Sequence, residues 1–391
     1  MSPKGFVFST TEAAVKKPGR RDIALIYSET AADAAGTFTT NSVKAAPVKN
    51  CIGKIKSGRA QAIVVNSGNA NACTGKRGMR DAAMIVSVLS KRLGIPPALI
   101  YPCSTGVIGT PMPMERILPS LMPLADDLGK SSLEDVAKAM MTTDTFPKVL
   151  HKRIKIGGRV GTISGICKGA GMIAPHMATM LCYILTDIAV ERKTLSGMLR
   201  ASVNKSFNRI TIDGDMSTND TVLMLANGAL GNRPLTRKSE HLGAFKKALD
   251  EICYGLSRLI VEDGEGATKL IEVTVKGARS ESDAEKAAFA VADSNLVKTA
   301  IYGHDANWGR IMCAIGYSGI RFDEAKTDIS FNNVKVVKGG LTTHREDKAG
   351  KVLKSKEIKI TIDLHAGKSH ATVLTCDLTE GYIRINAEYR T

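Results

Sequence analysis

The segment from Lys168 to Thr186 constrains the fold more than any other stretch of this chain. It reads KGAGMIAPHMATMLCYILT, and Gly169, Gly171 and Pro175 interrupt the chain ahead of an apolar run. Glycine and proline clustered in this way favour a loop with an unusual backbone geometry. The apolar run that follows is typical of a buried strand. The fold must therefore accommodate a glycine-rich loop that leads through Thr179 into a strand.

Thr179 has two interpretations. It is the first residue of a new chain if the Ala178–Thr179 bond breaks, and its α-amino group then lies one residue from its own hydroxyl and can act as the base that activates it. An α-amino group has a pKa near about 8, which suits proton transfer at working pH. Alternatively, residues 177–185 form a plain buried strand preceded by a glycine turn, and the local pattern by itself favours this interpretation.

Ten short sequence blocks, spread over nearly the whole chain, decide between the two interpretations. They are FTTN (38–41), AAPV (45–48), NSGNANACTG (66–75), STGVIG (104–109), TTDTFPK (142–148), KGAGMIAPHMATML (168–181), SFNRITIDGDMSTNDT (206–221), EDGEGATK (262–269), HDANWGRI (304–311) and INAEYRT (385–391). In this order they resemble the ornithine acetyltransferase family, the bifunctional glutamate N-acetyltransferases of arginine biosynthesis. The resemblance implies that Thr179 is a nucleophile freed by self-cleavage.

The resemblance also implies a fold and an assembly. The expected fold is α+β, a layered αββα-type sandwich resembling N-terminal-nucleophile hydrolases, with a smaller C-terminal lobe from about residue 280. Cleavage would give an α chain of residues 1–178 and a β chain of residues 179–391, assembled as an α2β2 heterotetramer. The sequence pattern independently indicates a layered chain of interleaved strands and helices. Strands are predicted at 60–65, 160–166, 180–187, 270–275 and 358–364, and helices at 77–93, 132–141, 193–203 and 238–260.

Acetyl transfer through an acyl-enzyme needs donors that face the tetrahedral oxyanion. The tight turn at Ser104, Thr105 and Gly106 has the general form of such an oxyanion hole, although the three residues taken alone favour an ordinary turn. The resemblance assigns the oxyanion role to Thr105 and Gly106.

Substrate contacts follow from the resemblance in the same way. Besides Thr179, the matching positions are Thr142, Lys168, Glu265, Asn386 and Thr391. Lys168 is suited either to bind the α-carboxylate of an acylated amino acid or to lower the pKa of the new amine, although a lysine in a loop is by default solvated. Glu265 is suited to a substrate ammonium group, although a lone glutamate is usually exposed.

Two residues depart from the family pattern. His176 stands where Asn is usual, and Ala306 stands where Pro is usual ahead of Asn307 and Trp308. His176 lies three residues before Thr179, so its substitution bears on the rate of cleavage. We interpret His176 as a loop residue rather than a base, because it would leave with the severed terminus and the free amine already supplies a base.

The net charge of +16 is unevenly distributed. Residues 1–178 contain 24 Lys and Arg against 11 Asp and Glu, a net +13. Such an excess is compatible with a solvated basic face, with steering of acidic metabolites, or with nucleic-acid binding. Aromatic residues make up only 5% of the chain, so stacking platforms for bases are scarce, and we expect no nucleic-acid partner.

Composition narrows the remaining possibilities. No apolar run reaches the roughly 18 residues of a membrane span, and the N-terminal segment has no apolar core of signal-peptide length, so we expect a cytoplasmic protein without a membrane partner. Eight cysteines without CxxC spacing favour reduced, mostly buried thiols over zinc sites or disulfides. We expect no cofactor and no metal; GRVGTISG (158–165) lies along a predicted strand and is discounted as a phosphate loop.

Three functions are compared. The first is transfer of the acetyl group of N2-acetylornithine to glutamate through acetyl-Thr179, with acetyl-coenzyme A as a second donor used by some family members. The second is a self-processing amidase or aminopeptidase of related fold, in which water resolves the acyl-enzyme. The third is a basic nucleic-acid-binding protein, which would remain a single intact chain and bind DNA with strong salt dependence.

Overall fold

The computed structural model, which describes residues 2–174 and 180–388, divides into two units. Unit 1 comprises residues 2–172, 180–208 and 216–260. Unit 2 comprises residues 173–174, 209–215 and 261–388. Each unit is built on its own mixed β-sheet with helices packed against it. The predicted α+β class is confirmed.

The sheet of unit 1 has eight strands within the described part of the chain. They are β1 (Phe6–Thr11), β2 (Ile23–Phe38), β3 (Arg59–Asn66), β4 (Ile100–Ser104), β5 (Lys148–Ile156), β6 (Arg159–Lys168), β7 (Leu181–Thr186) and β8 (Thr221–Ala226). Their order is β4-β3-β2-β8-β7-β6-β5, and β1 pairs with β2. The β3–β4 and β7–β8 pairs are parallel, and the other neighbouring pairs are antiparallel.

Helices cover both faces of this sheet. They are α1 (Ala46–Lys54), α2 (Gly75–Leu93), α3 (Met114–Asp126), α4 (Leu133–Met140), α5 (Arg192–Lys205) and α6 (Leu242–Glu262). Alternate residues of β3 face opposite sides: Ala62 and Val64 belong to the core under α2 and α3, whereas Ile63 and Val65 belong to the core under α4. Successive strand side chains point to opposite faces, so a strand buried on both faces is apolar throughout.

Unit 2 is a six-stranded sheet in the described residues, with helices packed against it. Its strands are β9 (Leu270–Ala278), β10 (Asp328–Phe331), β11 (Val334–Lys338), β12 (Leu341–Thr342), β13 (Glu357–Asp363) and β14 (Ser369–Cys376). Its helices are α7 (Glu281–Ala292), α8 (Asn295–Tyr302), α9 (Trp308–Tyr317), α10 (Glu346–Val352) and α11 (Glu380–Ala387). The strand order is β12-β11-β10-β13-β9-β14, and only the β13–β9 pair of these neighbours is parallel.

The predicted helices and strands are present with small differences at their ends. The helix predicted from residue 132 begins at Leu133, because Ser132 forms a capping box in which its hydroxyl accepts the Asp135 N–H and the Asp135 carboxylate accepts the Ser132 N–H. The helix predicted from residue 238 begins only at Leu242. A turn precedes it, in which the Ser239 hydroxyl accepts the Thr236 N–H at 2.8 Å.

The cysteines are free, and six of the eight are buried, whereas Cys73 and Cys313 are exposed. Among the helices of the described ranges, none combines the length and apolar character required to cross a bilayer.

We predict that Gly165 is required for the packing of α6 on the sheet of unit 1. A Cβ on Gly165 would lie 2.8 Å from atoms of both Ile252 and Leu256 of α6. Gly165→Ala should therefore lower the free energy of unfolding by about 1 to 3 kcal/mol through overpacking. Gly197, inside α5, has no atom within 4 Å of the same position. Gly197→Ala should instead raise stability by roughly 0.5–1 kcal/mol.

Urea denaturation of both variants tests this prediction. A Gly165→Ala protein that matches or exceeds the stability of Gly197→Ala would contradict it.

Candidate functional site

Met180, which follows the predicted nucleophile in the chain, is held through both of its backbone groups. Its N–H donates to Asp220 Oδ1 at 2.9 Å, and its carbonyl accepts the Thr221 N–H at 3.1 Å. Strands β7 and β8 are parallel neighbours with Leu181 beside Thr221, so the residues that lead into them are adjacent. The start of β7 is thus fixed by residues 217–221, which we call the STNDT segment.

The STNDT segment also holds the predicted oxyanion turn. The Asn219 amide donates to Ser104 O and to Ala70 O, both at 2.7 Å, and Asn219 Oδ1 accepts the Thr218 hydroxyl at 2.6 Å. These groups are buried, where an unpaired amide or carbonyl would be costly. One segment therefore connects the end of β4 with the start of β7.

The turn at Thr105 and Gly106 packs closely against the loop that follows β3. Thr105 N–H donates to Asn66 O at 3.0 Å, and so this N–H is used within the fold. The Thr105 hydroxyl makes no hydrogen bond with any residue in the ranges described, and it is therefore the group of Thr105 that can face a ligand. Gly106 has a φ of +133°, and a Cβ there would lie 2.2 Å from the carbonyl carbon of Gly68. Only glycine fits such a close backbone approach.

Asp144 joins two of the predicted substrate contacts. Its Oδ1 accepts the Lys148 ammonium at 2.7 Å and the Gly169 N–H at 2.7 Å. Its Oδ2 accepts the Thr142 N–H at 3.0 Å and lies 3.9 Å from Lys168 Nζ. The loop that carries Thr142 is thereby bound to the end of β6.

The carboxyl of Asp144 is ionised. Burial alone would raise its pKa, but the charges of Lys168 and Lys148 and the Gly169 N–H outweigh burial and lower the pKa to about 2. The side chains of Asp144 and Lys148 are fully buried, and that of Lys168 is 3% exposed.

Lys168 differs from its expected surroundings. The sequence suggested a loop lysine, but Lys168 is the last residue of β6 and is buried. The antiparallel β6–β7 pairing places it opposite Leu181, two residues beyond Thr179 in the chain. An eleven-residue separation along the sequence therefore becomes proximity to the start of β7, because the glycine-rich stretch connects two adjacent strands.

Asp220 is buried in a different environment from Asp144. Burial raises the pKa of Asp220 well above its ordinary value, and the Met180 N–H, the Lys168 charge and the nearby Thr39 hydroxyl lower it only in part. The Thr39 hydroxyl donates its proton to Ser217 O at 2.8 Å rather than to Asp220. Its Oδ2 has no hydrogen-bond partner among residues 2–174 and 180–388. Burial of a carboxyl with one unpaired oxygen favours the neutral acid over the carboxylate.

Unit 2 contains two further predicted contacts, and it brings them together. The Asn386 amide donates to Glu265 Oε2 at 2.8 Å and to Tyr382 O at 3.0 Å. Glu265 is buried rather than exposed, at 8%. Next to it, Gly266 O accepts the hydroxyl of Thr379, the N-cap of α11, at 2.7 Å. The helix near the C-terminus is therefore attached to the loop that carries Glu265.

Most of the remaining predicted residues lie outside the described part of the chain. Ala178, Thr179, His176 and Thr391 lie outside the described residues, and their roles stay predictions. Ala306 is part of the apolar core of unit 2. Among the described residues, no three His, Cys, Asp or Glu side chains are grouped as metal ligands.

Sequence reasoning missed Asp144, Asn219 and Asp220. All three lie inside blocks that carried the family resemblance, TTDTFPK and the end of SFNRITIDGDMSTNDT. Their roles depend on contacts between distant parts of the chain, since Asn219 is 115 residues from Ser104 and Asp220 is 40 residues from Met180. A polar residue predicted to be buried at the start of an apolar strand is the signal that could have indicated Asp220.

The family model described as the ArgJ family matches residues 7–391. The chain belongs to the ArgJ family. The arginine biosynthesis bifunctional protein ArgJ of Geobacter sulfurreducens is 52% identical over 394 residues, covering 100% of both chains. The protein of the same name from Symbiobacterium thermophilum is 49% identical over 393 residues, covering 100% of this chain and 98% of its own. The resemblance identified from the sequence is confirmed, and the chain is an enzyme of arginine biosynthesis.

A solved structure is also similar. The arginine biosynthesis bifunctional protein ArgJ of Bacillus halodurans superimposes with a TM-score of 0.51 and 44% identity. The match covers 52% of this chain but 97% of the solved chain.

We predict that Gly106 is needed for the activity expected from the resemblance. An alanine at Gly106 would force the backbone at Gly68 and Asn69 to move, and a displacement of about 1 Å in a catalytic group can slow a reaction ~100-fold. Gly109 lies in the same loop with a φ of +84°, but no atom lies within 4 Å of the point that a Cβ would occupy there. Gly109→Ala should therefore cost only the backbone strain of roughly 1–2 kcal/mol.

The measurement is the rate of acetyl transfer by each folded variant. Equal rates for Gly106→Ala and Gly109→Ala would contradict a special role for the Gly106 turn.

Proposed function

We propose that this enzyme is a self-processing acetyltransferase that moves the acetyl group of N2-acetylornithine to glutamate through an acetyl-Thr179 intermediate. Cleavage before Thr179 creates the active form, with chains of residues 1–178 and 179–391. The substrates are small molecules, and the proposal involves no cofactor or metal in the chemistry.

The observation that carries the proposal is the position of the STNDT segment. It binds Met180, the residue next to Thr179, through Asp220 and Thr221. Through Asn219 it also binds Ser104, which opens the turn that contains Thr105. The residue next to the proposed nucleophile and the turn proposed to supply the oxyanion donor are thus bound by the same segment of unit 1, which supports an acyl transfer between them.

Cleavage follows from this arrangement as an N-to-O acyl shift. The Thr179 hydroxyl oxygen attacks the Ala178 carbonyl carbon, and the oxyanion that develops is stabilised by the Thr105 hydroxyl and the turn at Gly106. The C–N bond then breaks, and the Thr179 nitrogen takes the proton that the hydroxyl lost. Water hydrolyses the resulting ester, which releases the Ala178 carboxylate and leaves Thr179 with a free amine and a free hydroxyl.

Transfer repeats the same chemistry on a substrate. The Thr179 amine accepts the hydroxyl proton as the oxygen attacks the acetyl carbon of N2-acetylornithine, and it returns that proton to the departing ornithine nitrogen. The amino group of glutamate then attacks acetyl-Thr179 and leaves as N-acetylglutamate. A covalent intermediate of this kind gives ping-pong kinetics.

The predicted substrate-binding residues include one cation and one anion, which suit the two kinds of charged group on an amino-acid substrate. Lys168 supplies a buried cation for the substrate α-carboxylate, and Asp144 fixes its ammonium together with the Thr142 loop. Glu265, paired with Asn386, supplies an anion for a substrate ammonium. Thr391 remains a predicted contact from the sequence blocks.

The comparison with the Bacillus halodurans structure supports a chain divided in two. Curated relatives match the chain along its full length, whereas about half of this chain accounts for nearly all of the solved chain. We propose that the mature protein is an α2β2 assembly of the two cleavage products, which mass measurement of the native complex tests.

We predict that Thr179→Ala abolishes both cleavage and acetyl transfer, because the variant has neither the attacking hydroxyl nor the new amine. Thr179→Ser should retain part of each activity. Thr186→Ala is the matched control on β7, since it removes a buried hydroxyl that donates to Thr162 O at 2.9 Å and leaves Thr179 intact. It should lower stability but still be cleaved.

Denaturing electrophoresis with N-terminal sequencing provides the measurement. The wild-type protein should give two chains, the second of which begins TMLCYILTD. Substantial transfer activity in Thr179→Ala, or an uncleaved wild-type enzyme that is active, would refute the mechanism.

The acceptor is tested separately. Incubation with N2-acetylornithine should release more than one equivalent of ornithine per enzyme only when glutamate is present, with N-acetylglutamate as the product. Release of free acetate at the same rate without glutamate would identify an amidase instead. A parallel reaction with acetyl-coenzyme A tests the second donor that the resemblance implies.

A further inference from the structure

Two buried carboxyl groups act on the same lysine. Lys168 Nζ lies 3.9 Å from Asp144 Oδ2, and the Lys168 charge also acts on Asp220. Asp220 is 0% exposed, and Asp144 has a fully buried side chain. Two acidic side chains therefore lie close to the start of β7, where a negative charge would affect the reaction proposed for Thr179.

The hydrogen bonds of the two carboxyls are very different. Asp144 receives N–H donors on both oxygens, from Lys148, Gly169 and Thr142. Asp220 receives the Met180 N–H on Oδ1, while within the described ranges Oδ2 receives no donor. Donors on both oxygens stabilise an ionised carboxylate, whereas an unpaired buried oxygen favours the protonated form.

This inference rests on the proposed function. If Asp220 is protonated, it does not repel the negative charge that the proposed reaction develops. Negative charge develops on the carbonyl oxygen during both cleavage and transfer. A carboxylate bonded to the residue next to Thr179 would oppose that charge, because two like charges repel strongly where water is excluded. A neutral acid can hold the same backbone N–H without this penalty.

We propose that Asp220 is a positioning residue that acts as a neutral carboxylic acid, fixing the Met180 amide next to the nucleophile without placing a negative charge there. Asp144 has the opposite role: it is an anion, and it fixes the Lys168 ammonium. Residues that surround a reacting centre and titrate in opposite directions often divide their roles in this way. The opposite shifts of the pKa values of these two carboxyls agree with the assignment.

The same substitution at the two positions tests the assignment. Asparagine reproduces a neutral acid, because its Oδ1 can accept the Met180 N–H and its amide replaces the protonated oxygen. Asp220→Asn should therefore cleave and turn over no more than about 10-fold slower than wild type, whereas Asp220→Leu, which lacks the acceptor, should be at least ~100-fold slower. Asp144→Asn removes a charge that Lys148 and Lys168 require, and it should be as defective as Asp220→Leu.

All rates are measured on protein that is folded by circular dichroism. The infrared band of a protonated carboxylic acid should be present in the wild-type enzyme and in Asp144→Asn, and it should be lost in Asp220→Asn. This comparison does not need Asp220→Leu, and so it decides the protonation state even if the leucine variant does not fold.

Three results would overturn the inference. An Asp220→Asn enzyme as defective as Asp220→Leu would mean that the carboxylate is required. A wild-type enzyme without the infrared band would mean that Asp220 is ionised, and wild-type activity in folded Asp220→Leu would remove any positioning role. These failures differ from failure of the proposed function, which would be seen as an uncleaved wild-type chain or as activity in Thr179→Ala.

Discussion

The hydrogen bonds of the STNDT segment are the constraint on which the rest of unit 1 depends. Asp220 and Thr221 hold both backbone groups of Met180, and Asn219 holds Ser104 and Ala70. These bonds are buried, so each unmade partner would be a desolvated polar group in the core. A parallel β7–β8 pair does not by itself specify where each strand begins. The side chain of Asp220 fixes the start of β7, and that of the adjacent Asn219 binds Ser104, which opens the turn proposed to bind the oxyanion.

Buried charged groups near the start of β7 orient the residues around it. The chain is strongly basic, yet the charged groups nearest to β7 have individual partners. The Asp144 carboxylate pairs with Lys148 and Lys168, and the Asp220 carboxyl, which we propose to be neutral, accepts the Met180 N–H. Buried ion pairs are weak contributors to net stability because desolvation offsets attraction. Their value here lies in orientation, since Asp144 connects the Thr142 loop, Gly169 and Lys168 at one point.

The sequence predicts elements better than it predicts the contacts between them. Strand β3 and helix α2 follow from apolar periodicity, and α4 lies within one residue of its predicted bounds at each end. The α+β class and the enzyme family follow from the ten blocks. Periodicity could not show that Lys168 lies opposite Leu181, because strand pairing is a tertiary property. For the same reason Asn219 and Asp220 were recognised as members of a block, but not as the residues that join β4 to β7.

Mass spectrometry of the acyl-enzyme tests whether Thr179 carries the acetyl group. The enzyme is mixed with N2-acetylornithine without glutamate, quenched in acid and digested. We expect one acetyl group on the N-terminal residue of the chain that begins at Thr179, lost again when glutamate is added before quenching. An acetyl group on any other residue, or active turnover without an acylated Thr179, would contradict this expectation.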